Sequence, residues 1–363
     1  MGTATNPAVL AVLEEIARAK ERAEERRRAA ATAATGEQYG VIRSGSSGEV
    51  VLRLPPAPLQ PAPDDCCHSG CTPCILDAYR DRLHAYSEDV KALRAQYERV
   101  LAGEELSLGE HHIRHALPGG VLEPLQFSSI AVHEAQEVGD GGRMVMLAAT
   151  ALDFVLAPGE HVQIRASLGD GWRATRAYTP VMVAARDGIV RPHLFVRVYG
   201  EAHRVSQFWR AVAPGQRLAV RGPVESQTDM TRALSPATCV LVAGGSGIAP
   251  IFHVLQFASV NSAYSGRRIV VMHCARSAAG LWLSSEIAAL SRDLPGLEYH
   301  PFISHEPTHA HHGRLTESLL WQVMGPLDGS SCAAVVCGPD SFNCDVKLWL
   351  QDAGISDIKV LDS

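Results

Sequence analysis

Hydrophobic and polar positions change rhythm several times along the chain. Residues 8–31 (AVLAVLEEIARAKERAEERRRAAA) combine strong helix formers with mixed charge at helical spacing, which predicts an exposed helix within 1–33. Residues 34–63 are rich in Gly, Ser and Pro (GSSG, then PPAPLQPAP) and read as a linker with an extended polyproline-like end. Within 55–105 a cysteine-rich segment leads into a helix on which Tyr79, Leu83, Tyr86, Val90, Leu93, Tyr97 and Val100 recur at alternating steps of four and three. That heptad stripe needs a surface to cover it, on this chain's own first helix or body, or on a partner.

From about residue 120 the pattern becomes short alternating runs: 127–133, 143–149, 161–166, 193–199 and 217–220, each bounded by Gly, Pro or Asp. Such runs predict an antiparallel barrel or sandwich over 120–232. Over 235–363 the runs are unalternating (CVLVA, RIVVMHC, AAVVC) and each is followed by a helix-like segment. That is the mark of a doubly wound α/β domain with a parallel sheet buried on both faces. The fold class is therefore α+β with two domains and a helical N-terminal extension.

Composition narrows the function. Of 363 residues, 46% are hydrophobic and 20% charged, enough for two cores. With 33 basic against 39 acidic residues the net charge is -6, which offers no general basic surface for nucleic acid. The interval Ala233–Gly266 carries no Lys, Arg, Asp or Glu, long enough for a membrane span. Gly244-Gly245-Ser246-Gly247 and Pro250 interrupt it, so a buried strand, turn and helix fit better and no transmembrane segment is expected. Nine cysteines, five of them scattered among apolar residues, point to a reducing compartment. Glutamates at 14, 15, 21, 24 and 25 speak against a mitochondrial presequence, so a cytoplasmic location is expected, with mitochondrial association left open.

Three motifs bear on chemistry. Residues 240–250 (VLVAGGSGIAP) run a buried strand through a glycine turn into a helix, where a diphosphate can approach backbone N–H groups at the helix start. Residues 335–340 (VVCGPD) open a second strand end at the carboxyl edge of the same sheet, where ligands of open α/β sheets collect. In the β region stand Arg176-Ala177-Tyr178-Thr179-Pro180, then FVRVY ending at Tyr199, HRVSQFW from His203, and Arg221-Gly222-Pro223. Arginine suits a phosphate, tyrosine offers a flat face and a hydroxyl, and threonine a short donor and acceptor.

In this order, RxYTP, VxVY, a Ser-Gln-aromatic helix start, RGP, GGxGIxP and CGPD, the motifs resemble the ferredoxin–NADP reductase superfamily, most closely its cytochrome b5 reductase branch, over about 124–363. The resemblance implies a six-stranded barrel holding FAD, with NADH or NADPH as co-substrate on the α/β domain. It places Arg176 at the FAD diphosphate, Tyr178 on the flavin and ribityl, and Thr179 at the redox-active edge. Ala177, Arg197, Tyr199, Val205, Ser206 and Ala249 then surround FAD. It puts Gly244, Gly245, Ser246 and Gly247 under the nicotinamide nucleotide, with Cys337, Gly338 and Pro339 beside its ring, and Thr179 and Cys337 nearest the reaction. The family's Gly-Lys-Met-Ser reads His203-Arg204-Val205-Ser206 here, its aromatic C-terminus is Leu361-Asp362-Ser363, and its second proline after Cys-Gly-Pro is Asp340. Within Ile269–Trp282 (IVVMHCARSAAGLW), a carboxylate at the end of the strand would select NADH. Arg276-Ser277 stand there instead, which tilts the site toward NADPH. The electron acceptor is expected to be a protein such as cytochrome b5, or alternatively an iron–sulfur partner.

Cys66, Cys67, Cys71 and Cys74 form a CC-x3-C-x2-C cluster in a segment that resembles the short oxidoreductase-like domain. They are candidate ligands for zinc or an iron–sulfur centre, or a cysteine knuckle capping the heptad helix. The histidines at 305, 309, 311 and 312, and at 111, 112 and 115, read as loop residues. Against the reductase stands a second class, an interaction protein working through its N-terminal segment. The intact Arg176, Tyr178, Thr179 and glycine turn favour the enzyme.

Overall fold

The computed structural model describes residues 40–43, 50–54, 57–66, 74–102, 126–150, 156–185, 189–224, 230–264, 266–306, 313–326 and 331–361, with single positions 11, 14, 122 and 154. The helix expected within 1–33 lies outside these residues, apart from Ala11 and Glu14, which are helical. The stretch expected to be a linker contains an antiparallel pair, β1 (Gly40–Arg43) and β2 (Val50–Arg53), registered from Gly40↔Arg53 to Arg43↔Val50. Two short β-branched runs flank a Gly/Ser-rich sequence, a hairpin signal that the linker-like composition hides. The heptad stripe lies on α1 (Ile75–Leu101), which packs on this hairpin. Leu93 and Val100 are buried while Leu83 stays exposed, so the cover lies mainly on the C-terminal half.

Between hairpin and helix, Pro63–Asp65 makes one 3-10 turn that docks on the barrel. Asp65 is 6% exposed and ion-paired to Arg165, and the Thr175 hydroxyl donates to the Asp64 carbonyl at 3.0 Å.

The barrel has seven strands: β3 (Ser128–Val138), β4 (Gly142–Leu147), β5 (His161–Ser167), β6 (Arg173–Tyr178), β7 (Val181–Ala184), β8 (Val190–Arg197) and β9 (Arg217–Val224). Their order is β6-β5-β9-β3-β4-β8-β7, all antiparallel. The six strands implied by the resemblance become seven because Thr179-Pro180 divides one long strand. Proline supplies no N–H for a ladder, and the chain leaves β5 at Tyr178 to join β8 at Val181. Both edges of the sheet are therefore joined through two residues, which brings them together. One helix, α2 (Arg204–Ala211), closes the barrel, and its Trp209 is fully buried in the core.

The second domain is a parallel sheet of order β12-β11-β10-β13-β14, made of β10 (Thr238–Gly244), β11 (Arg268–Ala275), β12 (Leu297–Ile303), β13 (Cys332–Cys337) and β14 (Asp357–Leu361). Helices α3 (Ile248–Ser259) and α4 (Ser284–Leu290) cover one face, and α5 (Glu317–Met324) and α6 (Asp340–Asp352) the other. The uncharged interval resolves into β10, a turn and α3, as expected, and no helix among the described residues is long and apolar enough to cross a membrane.

Two histidines shielded from solvent, His273 fully buried and His161 half-buried, give the folded state a defined acid limit. Burial first, and Arg221 second, push the His161 imidazole down to about 4, and burial pushes His273 down to about 3. Below the ordinary value of 6.5 the unfolded chain takes up protons that the folded chain refuses, so stability falls as pH drops from 6.5 toward 4. Each histidine contributes about 1.4 kcal/mol per pH unit across that window. Thermal unfolding followed from pH 8 downward should show a plateau above neutrality and then a fall, and His161→Asn should flatten the slope.

Candidate functional site

The corner between β6 and β7 carries the RxYTP motif. Along β6 only Thr175 is fully buried, and Arg176 points to solvent on the opposite side of the strand. Its guanidinium donates to the Thr175 carbonyl at 2.8 Å and meets no carboxylate among the described residues. Ala177 is half-buried and pairs with Gln163 of β5. The Tyr178 ring stands edge-on to Trp209, centroids 5.1 Å apart, and its hydroxyl accepts from the indole N–H at 2.6 Å. Burial pushes that hydroxyl up to about 12, so it stays protonated. Thr179 is half-buried two residues before Val181, whose side chain sits in the core of the α/β domain, so Thr179 stands at the seam.

Around the start of α2 a local network fixes the other expected FAD residues. His203 is the N-cap, accepting from the Ser206 N–H at 3.4 Å, and the buried Ser206 hydroxyl accepts from the Tyr199 N–H at 2.9 Å. Val205 is buried beneath the turn. These contacts hold Tyr199 in place while leaving it 53% exposed, an aromatic face presented outward.

On the other domain, the glycine turn and the Cys-Gly-Pro turn meet backbone to backbone. A Cβ on Gly247 would fall into the Cys337 carbonyl, and one on Gly338 would strike Phe342. Gly245 has φ +57° and open space where its Cβ would be. The conformation excludes most side chains while the surface remains free. Ser246 is half-buried in the turn, Ala249 is buried in the first turn of α3, and Pro339 caps α6. Cys337 is buried in the sheet, between Ala243 and Leu361. Arg276, at the end of β11, is exposed and makes no ion pair among the described residues.

The two domains are bolted together by residues that sequence reasoning missed. Gln256 of α3, 1% exposed, donates from Nε2 to the Met182 carbonyl at 2.6 Å and accepts from the Met182 N–H at 3.1 Å. Trp282 donates from its indole to the Gly139 carbonyl at 3.0 Å, and its ring fills the space that a side chain on Gly142 would need. Arg197, expected at FAD, directs both terminal nitrogens to Asp140 at 3.2 Å and lies 5.9 Å from the Trp282 ring, which places it at this seam. A glutamine between Leu255 and Phe257 in the apolar stretch of α3, and the run Gly139-Asp140-Gly141-Gly142, were the available signals.

Of the four clustered cysteines, Cys66 and Cys74 come together with Sγ atoms 3.6 Å apart, while Cys67 and Cys71 lie outside the described residues. Among the described residues no group of three or more metal-ligating side chains forms. His305 is described, following β12, whereas the histidines at 309, 311, 312, 111, 112 and 115 lie outside.

Comparison with known proteins agrees with this geometry domain by domain. The model of the oxidoreductase FAD-binding domain matches residues 130–228, that of the oxidoreductase NAD-binding domain 241–347, and that of the oxidoreductase-like protein N-terminal region 51–95. A Mus musculus protein named NADH-cytochrome b5 reductase-like is 24% identical over 323 residues, 85% of this chain and 95% of its own. The reductase subunit of an aromatic O-demethylase from Amycolatopsis sp. is 24% identical over 286 residues, 77% of this chain and 83% of its own. The crystal structure of the cytochrome b5 reductase domain of Ulva prolifera nitrate reductase shares the fold at TM-score 0.55 and 18% identity, covering 66% of this chain and 99% of that one. The chain is an FAD- and NAD-binding oxidoreductase related to the cytochrome b5 reductases, with an oxidoreductase-like segment ahead of its barrel.

Proposed function

We propose that the seam between β6–β7 and the glycine turn of β10–α3 brings a flavin and a nicotinamide together, and that electrons leave to a one-electron acceptor protein, cytochrome b5 or a haem protein like it. Bound there, FAD would supply the chemistry that links a two-electron donor, NADH or NADPH, to one-electron release. The observation that carries this reading is the meeting of two half-sites across one interface. Val181, directly beyond the Tyr178–Thr179 corner, sits in the α/β core, and β8 approaches the Gly245–Gly247 turn.

The residues fit both groups. Arg176 has a guanidinium with no carboxylate beside it, suited to a diphosphate, and the exposed Tyr199 offers a face for stacking. Thr179 supplies a hydroxyl at the seam, fixed by the proline after it. Gly245 leaves space above the turn, and Gly247 and Gly338 let the two strand ends close beneath a nucleotide. The exposed Arg276 is free to meet a ribose phosphate. The chain's own part in the reaction is to orient both rings and keep water out of the seam. The acceptor of cytochrome b5 type is the reading favoured by the relative that spans most of this chain.

Purified protein should be yellow, and anaerobic NADH or NADPH should bleach it, with the two donors compared in one titration. A colourless chain that FAD cannot reconstitute overturns the proposal. Arg176→Ala should weaken FAD retention by roughly 10- to 100-fold, the equivalent of one charge-assisted hydrogen bond of about 1.5–3 kcal/mol. Flavin release on gel filtration measures it.

A further inference from the structure

We propose that Cys66 and Cys74 are a redox-active thiol pair that closes reversibly into a disulfide, stapling the barrel-docked turn to the start of α1. Their sulfurs lie 3.6 Å apart, in contact but unbonded, and both residues are half-buried, each keeping part of its surface open to a small oxidant. A disulfide requires about 2.0 Å, so closure has to bring the two sulfurs about 1.6 Å nearer.

Each thiol is carried on a fixed element. Asp64 and Asp65, just before Cys66, are held on the barrel by Thr175 and Arg165. Cys74 is the N-cap of α1, and its carbonyl accepts from the Ala78 N–H at 2.8 Å. Two reactants held in contact by separate anchors react as one unit, without the entropy cost of finding each other. No other described cysteine has this setting. Cys239, Cys332 and Cys337 are buried, and burial pushes the thiols of Cys274 and Cys332 up to about 12 and about 11. Cys344 is exposed, with no second thiol against it among the described residues.

The oxidant class is a small disulfide such as glutathione disulfide. One cysteine thiolate attacks it, forming a mixed disulfide and expelling one glutathione thiol. The second cysteine then displaces the other glutathione, forming the Cys66–Cys74 bond. Two electrons and two protons pass in total from the pair to glutathione disulfide, leaving two glutathione thiols. The bond closes a short loop between an element tied to the strand of Arg176 and the helix that covers the hairpin.

The full chain, equilibrated in glutathione redox buffers, alkylated and digested, should yield a Cys66–Cys74 cross-linked peptide with loss of two alkylatable thiols, reversed by dithiothreitol. Cys66→Ser should trap one glutathione on Cys74, and Cys74→Ser one on Cys66, because neither retains its resolving thiol. A cross-link made instead through Cys67 or Cys71 overturns the pairing. So does zinc or iron held stoichiometrically by these thiols against alkylation, and so does the absence of any cross-link across the buffer range. None of these readouts needs flavin or nicotinamide, so the result is independent of the electron-transfer assignment.

Discussion

Gly247→Val is expected to lower the rate of flavin reduction by NADH or NADPH about a hundredfold while leaving a folded, yellow protein, since displacements near 1 Å cost that much in a positioned reaction. The α-carbon of Gly247 faces the Cys337 carbonyl at a distance that admits no Cβ. A valine must push the end of β13 away from α3 and carry the Cys337-Gly338-Pro339 turn with it. Overpacking of this kind costs about 1–3 kcal/mol, which the α/β core can absorb. The altered geometry falls on the proposed nucleotide floor, and the loss is expected in the reduction rate. Gly245→Ala is the control: its space is open but its φ of +57° penalises a side chain, so a smaller effect is expected. Stopped-flow reduction beside a thermal melt separates the two quantities. A valine variant reduced at the wild-type rate would remove the glycine turn from the nucleotide site.

Gln256→Leu is expected to produce the largest stability change. Leucine fills a similar volume but leaves the Met182 N–H and carbonyl without their partner in a dry interface. Two orphaned backbone groups at about 1–3 kcal/mol each give roughly 2–6 kcal/mol. Because the lost bonds join β7 to α3, the barrel and the parallel sheet should part before either melts. Differential scanning calorimetry should resolve one transition into two, and kcat should fall more than FAD binding. A single unshifted transition would mean that Gln256 does not hold the domains.

What could be read in advance follows how the chain buries its residues. Strands β10, β11 and β13 lie inside the parallel sheet with both faces covered, so Cys239–Ala243, Ile269–Met272 and Ala333–Val336 had to be continuous apolar runs. The edge strands β12 and β14 keep Glu298, His300, Asp357 and Lys359 partly exposed, and without a clean period they did not stand out. For the same reason β6, an edge with one fully buried side chain, was legible as a motif and not as a strand. The proposed site residues Arg176, Thr179 and Gly244–Gly247 stand out in the sequence because phosphates and close backbone approach restrict residue type. Arg197 illustrates the limit: its spacing matched the motif, but its partner Asp140 is 57 positions away in the chain. Gln256 and Trp282 depend on contacts between domains that no local window contains.

The tip of the β3–β4 hairpin rests on Trp282 and Ala279, in the segment that follows Arg276. Grafting that segment from another reductase, to alter the donor preference proposed for Arg276, would therefore also exchange the indole against which the barrel is seated. Engineering of donor preference in this scaffold has to treat the hairpin tip and the grafted segment as a single part, or accept a barrel that no longer meets its neighbour at the original angle.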